Sequence, residues 1–280
     1  MTKRTTITNE LKEWIVNALN NGVKPEAIVD GMIKKGFDPR FSYTTLFRLI
    51  DNRPVQTAPA PEPYTYEAPP ISSRGNLIKL EDREIKVTFK MDKPFIRHFD
   101  QLLTPEECDQ LIDLAKDRLE ACTVLDPKTG EERLSTGRTS KGMSFHFNEN
   151  EFITAIEQRI AQLTGLPMEN GESLQVLNYQ VGEEYKLHYD YFPPNQVPAK
   201  KGGQRVATLL IYLNDVSKGG ETVFPRAGIS FVPKKGSAIY FHYANSKGQV
   251  DRLSVHTSIP VLEGEKWVAT KWIRQERIYD

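Results

Sequence analysis

Two residues in the middle of the chain have the right types and spacing for metal chemistry. His188 and Asp190 stand two apart in the run Tyr185-Lys-Leu-His-Tyr-Asp-Tyr191. That run reads as a strand end, where residues i and i+2 point to the same face. An imidazole and a carboxylate can therefore converge on one point. A second histidine from a distant strand would complete two nitrogens and one carboxylate on one side of a metal, with the other side open. This donor set suits Fe(II) in a non-haem oxygenase. The chain holds five histidines: His98, His146, His188, His242 and His256. His242 and His256 both compete for the third position. His242 ends the apolar run Ala238-Ile-Tyr-Phe241, where a packing or surface role also fits.

A lysine lies beyond the last histidine. In Lys266-Trp-Val-Ala-Thr-Lys-Trp-Ile273, a strand would place Lys266, Val268, Thr270 and Trp272 on one face and Trp267, Ala269, Lys271 and Ile273 on the other. A lysine facing inward with Val and Thr is an expensive buried charge unless it is paired. A dicarboxylate co-substrate would be such a partner; a solvated lysine at a strand start is the plainer reading. Glu221, in Gly219-Gly-Glu-Thr222, reads as a structural neighbour rather than a ligand, and its two glycines suit a tight turn. The loop from Pro193 to Gly203 is a candidate lid, because it follows the His-x-Asp strand directly.

The elements that must hold these residues form three regions. Residues 1–52 read as a small helical unit. Leu11, Trp14, Ile15, Ala18 and Leu19 recur at helical spacing, with Gly22 as a stop and Pro25 opening a second helix. Ile28, Met32 and Ile33 form its stripe, Gly36 ends it, and a third helix starts near Ser42. Residues 53–75, rich in Pro, Ala, Glu and Tyr, read as a semi-rigid linker. Residues 76–280 form the main domain. It begins with a strand region at 85–99 and a capped helix opened by Thr104-Pro-Glu-Glu107. A second helix follows Asn148 and ends at Gly165. After Gly171 come short strands at 173–179, 184–189, 205–213, 221–224, 229–232, 237–242, 252–257 and 266–274. Such spacing suggests a jelly roll with helices against one face, in a mostly β (α+β) class.

Composition removes several function classes. The 37 basic and 37 acidic side chains among 280 residues give a net charge of zero, with no electrostatic pull toward nucleic acid or anionic lipid. Residues 1–52 carry eight basic and six acidic side chains, so the helical unit lacks a strong basic footprint and DNA contact is disfavoured. A protein partner, or a second copy in a homodimer, suits it better. No apolar run approaches membrane-spanning length, and the N-terminus lacks a signal-peptide core. The two cysteines, Cys108 and Cys122, make no disulfide framework or metal spacing. A cytoplasmic protein is expected.

The stretch from Leu174 to Ile273 resembles the prolyl 4-hydroxylases among the 2-oxoglutarate- and Fe(II)-dependent dioxygenases. The runs that carry the likeness are Asn178-Tyr-Gln-Val-Gly182, His188-Tyr-Asp-Tyr-Phe192, Arg205-Val-Ala-Thr-Leu-Leu-Ile-Tyr-Leu213, Gly219-Gly-Glu-Thr-Val-Phe-Pro225, Ser254-Val-His256 and Lys266-Trp-Val-Ala-Thr-Lys-Trp-Ile273. Weaker likeness extends upstream through Pro94-Phe-Ile96 and Arg138-Thr-Ser-Lys-Gly142. The family has the same ten-residue step as that from His256 to Lys266.

The resemblance implies a double-stranded β-helix, with His188, Asp190 and His256 holding Fe(II) and His242 outside the ligand set. It implies that Lys266 pairs with the distal carboxylate of 2-oxoglutarate, aided by Tyr179 and Thr270. Tyr185, Arg205 and Trp272 match residues that line the groove for a proline-containing peptide or protein. The implied reaction is hydroxylation of a prolyl residue, as in procollagen-proline 4-dioxygenases, with O2 consumed and succinate and CO2 formed, and with ascorbate as the expected reductant. The alternative within the superfamily is a free amino acid or another small substrate. The chain departs from the family pattern in two places. Thr257-Ser-Ile259 stands where Ala-Gly-Cys is common, and Arg274 stands where many members carry a histidine, which bears on substrate preference.

Overall fold

A computed structural model describes residues 3–52, 63–121, 123–125, 132–134, 137–198 and 202–279. Three helices come first: α1 (Asn9–Asn20), α2 (Pro25–Lys34) and α3 (Pro39–Asp51). Thr8 caps α1 by accepting from the Leu11 N–H, and Pro25 opens α2. α3 begins before Ser42 because Asp38 accepts from the Phe41 N–H and Pro39 fills the first turn, a stronger start signal than a serine. The Ser42 hydroxyl instead donates back to the Asp38 carbonyl at 2.8 Å.

The main domain adds two helices. α4 (Pro105–Ala115) carries the reciprocal capping box of Thr104 and Glu107. α5 (Glu151–Thr164) is capped by Asn150 and stopped by Gly165 in the left-handed region, as glycine allows. The strands are, in order, β1 (Leu77–Lys79), β2 (Glu84–Asp92), β3 (Phe95–Asp100), β4 (Glu120–Ala121), β5 (Thr123–Leu125), β6 (Glu132–Leu134), β7 (Lys141–Ser144), β8 (Gln175–Tyr179) and β9 (Tyr185–His188). They continue with β10 (Arg205–Tyr212), β11 (Lys218–Gly219), β12 (Thr222–Phe224), β13 (Ile229–Phe231), β14 (Ala238–His242), β15 (His256–Ser258), β16 (Val261–Glu263) and β17 (Lys266–Arg274).

Two antiparallel sheets make the sandwich. The larger runs β1-β2-β3-β14-β10-β17-β8-β7-β4, and the smaller runs β13-β12-β15-β9. Their inner faces meet in an aromatic core that includes Tyr212, Phe224, Phe241 and Tyr243. The outer face of the larger sheet is covered by α4 and α5, through Leu111, Ile156, Ile160, Leu209 and Ala269. β17 lies beside the central strand β10 of this sheet, and its alternation serves both sides. Lys271 points outward and is buried against α5, where its ammonium meets Glu157 at 2.6 Å.

The three N-terminal helices pack on the outer face of the smaller sheet. Tyr43, Leu46, Ile28 and Met32 share one cluster with Val223 and Ile259. The described part of the Pro-rich segment, residues 63–75, is docked rather than free. Tyr66 donates to Asp251 at 3.0 Å, Glu67 receives the Ser246 N–H and hydroxyl, and Arg74 donates to the Gln162 carbonyl. Its tyrosines and glutamate supply partners that composition alone did not reveal. Residues 53–62 lie outside the described residues, as do Cys122 and the 199–201 part of the candidate lid. Cys108 is a free, buried thiol.

Candidate active site

The site is built on a β-bulge. In the β9–β15 pair, His188 stands opposite His256 and Tyr185 opposite Ser258, so Lys186 and Leu187 of β9 fall where β15 has only Thr257. The extra residue turns the strand out of phase. Leu187 packs outward toward the helical unit and Lys186 meets Asp30 of α2. Tyr185 and His188 can then both face inward, with their rings stacked at 3.5 Å between centroids. Asp190 follows two residues on. His188 Nε2 lies 3.5 Å from one Asp190 oxygen and His256 Nε2 lies 3.6 Å from the other. The three ligand atoms are within 4.8 Å of one another, and this is the only such group among the described residues.

Hydrogen bonds set the protonation of the trio. His188 Nδ1 lies 2.7 Å from the Lys186 carbonyl and His256 Nδ1 lies 2.9 Å from the Ser254 carbonyl. Carbonyl oxygens only accept, so each Nδ1 carries a proton, which leaves Nε2 as the nitrogen each ring can offer to a metal. Burial, reinforced by His188, pushes the His256 imidazole down to about 4, so it is neutral near pH 7. Burial alone would raise Asp190, but His256, His188 and the Thr208 hydroxyl outweigh it and hold the carboxyl below its usual range. Thr208 donates to Asp190 at 2.7 Å and touches the Tyr243 hydroxyl at 3.0 Å. Two imidazole nitrogens and one anionic oxygen, each anchored from behind, fit Fe(II).

These residues line one cavity. The inward face of β17 lies across from them: Lys266, Val268, Thr270 and Trp272 all line the space, with Tyr179, Leu177 and Leu210 beside them. Lys266 is 1% exposed. Among the described residues no carboxylate lies within 4 Å of its ammonium, which donates instead to Ser258 Oγ at 2.7 Å. The Tyr179 and Tyr212 rings stand 5.4 and 5.6 Å away. Burial pushes Lys266 down to about 7, against the pull of Glu221. Glu221 lies outside the ligand group, with Oε2 buried and unpaired among the described residues. A buried ammonium without a carboxylate suits an anionic ligand, which would restore its charge. Gly219 and Gly220 adopt φ of 77° and 72°. A side chain on Gly219 would meet the Pro260 carbonyl at 2.3 Å.

The three expected peptide contacts divide. Tyr185 and Trp272 line the cavity. Arg205 does not; both its Nε and Nη2 donate to Glu172 at 2.7 Å, and Nη1 reaches the Asp190 carbonyl at 3.3 Å. Its guanidinium lies 4.0 Å from the Trp272 ring and 4.8 Å from that of Phe192. Arg274 lies 4.5 Å from the Phe192 ring and also donates to Glu172, at 2.9 Å. His242 is remote from the trio, beside the Tyr240 hydroxyl at 3.2 Å, with burial pushing it down to about 4.

Four residues at the site escaped sequence reasoning. Arg138 lines the cavity and its guanidinium lies 5.2 Å from the Tyr185 ring; its only signal was the Arg-Thr-Ser run. Thr208 lies on the inward alternation of β10 with Leu210. Ser258 lies in the segment that departs from the family pattern. Glu172 had no signal in spacing at all.

Residues 174–274 match the model of the 2OG-Fe(II) oxygenase superfamily. Prolyl 4-hydroxylase 2 of Arabidopsis thaliana is 41% identical over 209 residues, 67% of this chain and 70% of the relative. Prolyl 4-hydroxylase 1 of the same organism is 47% identical over 189 residues, 62% of this chain and 66% of the relative. The chain thus spans about two thirds of the length of these curated relatives. Among solved structures, the viral collagen prolyl hydroxylase of Paramecium Bursaria Chlorella virus-1, in its 2OG complex, is 31% identical. The match has a TM-score of 0.53 and covers 64% of this chain and 95% of the other. Sequence likeness and barrel agree, and the chain belongs to the prolyl 4-hydroxylase family of 2-oxoglutarate- and Fe(II)-dependent dioxygenases.

Proposed function

We propose that the protein hydroxylates prolyl residues of a peptide or protein, converting 2-oxoglutarate and O2 to succinate and CO2 as the C–H bond becomes C–OH. The observation that carries this reading is a buried Lys266, with no carboxylate within 4 Å among the described residues, in the same cavity as His188, Asp190 and His256. A metal alone would not call for that lysine; a dicarboxylate with one end at the metal would. When bound, Fe(II) would let O2 act as the oxidant, with 2-oxoglutarate and the prolyl C–H bond as the electron donors.

Under this reading the chain's own groups bind, orient and exclude water. His188, Asp190 and His256 hold the metal. Lys266 anchors the distal carboxylate, with Tyr179 and Thr270 on either side along the wall. Leu177, Leu210 and Val268 keep that end of the cavity apolar, so the ion pair forms in a medium where it is strong. Tyr185 and Trp272 offer flat faces to a proline ring, and Arg205 holds the Trp272 face and the Asp190 backbone. No side chain is required to move a proton in the C–H step. We also propose ascorbate as the reductant that restores the metal after unproductive turnover. A cytoplasmic setting is in keeping with the free Cys108 thiol. Incubating the protein with Fe(II), 2-oxoglutarate and a panel of proline-containing peptides tests the reading. Succinate release coupled to a gain of oxygen on proline supports it, and oxidation confined to a free amino acid redirects it.

A further inference from the structure

The N-terminal helical unit lies directly behind the strands that carry two of the three site ligands, and this placement suggests a role for it. The bulge in β9 directs Lys186 away from the cavity, and its ammonium meets Asp30 of α2 at 2.8 Å. Leu187 on β9, Val223 on β12 and Ile259, just beyond β15, pack in one cluster with Tyr43 and Leu46 of α3. Tyr43, Leu46, Val223 and Ile259 are all at most 2% exposed. Thr257, next to His256, is fully buried and donates to the Tyr185 carbonyl at 2.8 Å, stitching β15 to β9. The Tyr43 hydroxyl interacts with that same threonine. At the other end of α3, Asp51 meets Arg226, whose guanidinium lies 5.5 Å from the Phe47 ring. Two short strands, each of three or four residues, are thereby gripped on the face opposite the cavity.

We infer that the helical unit is a brace, fused in cis, that fixes the spacing of His188 and His256 and so sets the affinity of the site for its metal. This rests on the metal-site reading above. Short strands with a bulge keep little ladder of their own, and local opening is governed by such packing. Metal sites lose affinity when the groups behind their ligands are loosened. Thr257 has a use in this chain that an alanine at the same place would not serve: its hydroxyl ties β15 to β9 on the side where Tyr43 of the brace packs. Tyr43, Asp30, Leu46 and Thr257 are positioning residues, since none lines the cavity.

The test uses the full chain, with Asp30→Asn, Tyr43→Phe, Thr257→Ala and Leu46→Ala made separately and the first two combined. Mn(II) dissociation constants are measured anaerobically, alongside amide exchange over residues 185–188 and 255–259. The brace predicts that the Asp30→Asn/Tyr43→Phe pair weakens Mn(II) about tenfold, the low end of the usual effect of outer-shell changes. It also predicts faster exchange in both segments, and a similar KM for 2-oxoglutarate at saturating metal. Unchanged Mn(II) affinity in that pair, with only a lower unfolding midpoint, would overturn the brace while leaving the metal site intact. Absence of Mn(II) binding by the unmodified chain would overturn the metal-site reading and the brace with it. If Leu46→Ala fails to fold, the conservative pair still decides.

Discussion

His188 and His256 stand directly opposite one another across the β9–β15 pair, with ring centroids 4.2 Å apart and Asp190 within 3.6 Å of both. Each ring is held from behind by a backbone carbonyl, and Asp190 by Thr208. Replacing His256 by alanine should therefore abolish stoichiometric binding of a divalent metal, and with it succinate formation. Thr208→Val, which keeps the shape but removes the donor to Asp190, should weaken metal binding about tenfold without removing it. Calorimetric titration with Mn(II) reads both; an intact site in His256→Ala would mean that another group is the third ligand.

Lys266 gives a pH dependence. Its ammonium is buried and held down to about 7 in the ligand-free protein, and a bound carboxylate raises it. Below that value the free enzyme already carries the charge, and the apparent affinity for 2-oxoglutarate should be flat. Above it, binding must take up a proton, so affinity should fall by about tenfold per pH unit until the pKa of the complex is reached. Lys266→Ala should raise the KM for 2-oxoglutarate by two orders of magnitude or more, roughly what loss of a buried charge-assisted bond costs, and should flatten the profile. Titrating 2-oxoglutarate at several pH values checks this. A slope of the same size in Lys266→Ala would assign the effect to another group.

Glu172 gathers two guanidiniums, Arg205 and Arg274, around Phe192. Glu172→Gln keeps the volume and removes the charge. We expect the KM for peptide to rise about tenfold, while the KM for 2-oxoglutarate changes less than twofold, as for lost substrate positioning. Equal changes in both constants would show that the arginine cluster supports the whole cavity rather than its peptide side.

The ion pair of Lys271 and Glu157 is almost fully enclosed, at 2% and 0% side-chain exposure. Burial pushes the glutamate up and the lysine down, although each partner pulls the other back toward charge. Lys271→Met alone should cost about 3–5 kcal/mol of stability, because it strands a carboxylate, whereas Lys271→Met with Glu157→Leu should recover most of it. Urea unfolding of the three proteins tells them apart; a double variant no more stable than the single would mean that α5 needs the pair itself.

Much of the site follows from local pattern. The period of two along β17 puts Lys266, Val268, Thr270 and Trp272 on one cavity wall and Lys271 on the opposite side. The same period joins His188 to Asp190. Spacing could not choose between His242 and His256, because the choice depends on which strand lies opposite β9. Nor could it foresee the bulge that turns Tyr185 and His188 to one side, since an extra residue in one strand is invisible without its partner. Arg205 was legible as a family position, but its bonds to Glu172 are set by side chains 33 residues apart. The Pro-rich segment shows the same limit: its composition describes a spacer, whereas Tyr66 and Glu67 dock through Asp251 and Ser246.

The central claim is best tested by mass spectrometry of a proline-rich peptide after turnover with Fe(II), 2-oxoglutarate and 18O2, with succinate measured in the same reaction. The account predicts one 18O atom on proline, one succinate for each hydroxylation, and neither product with His256→Ala. Succinate formed at full rate by His256→Ala, or oxygen gained only on residues other than proline, would contradict it.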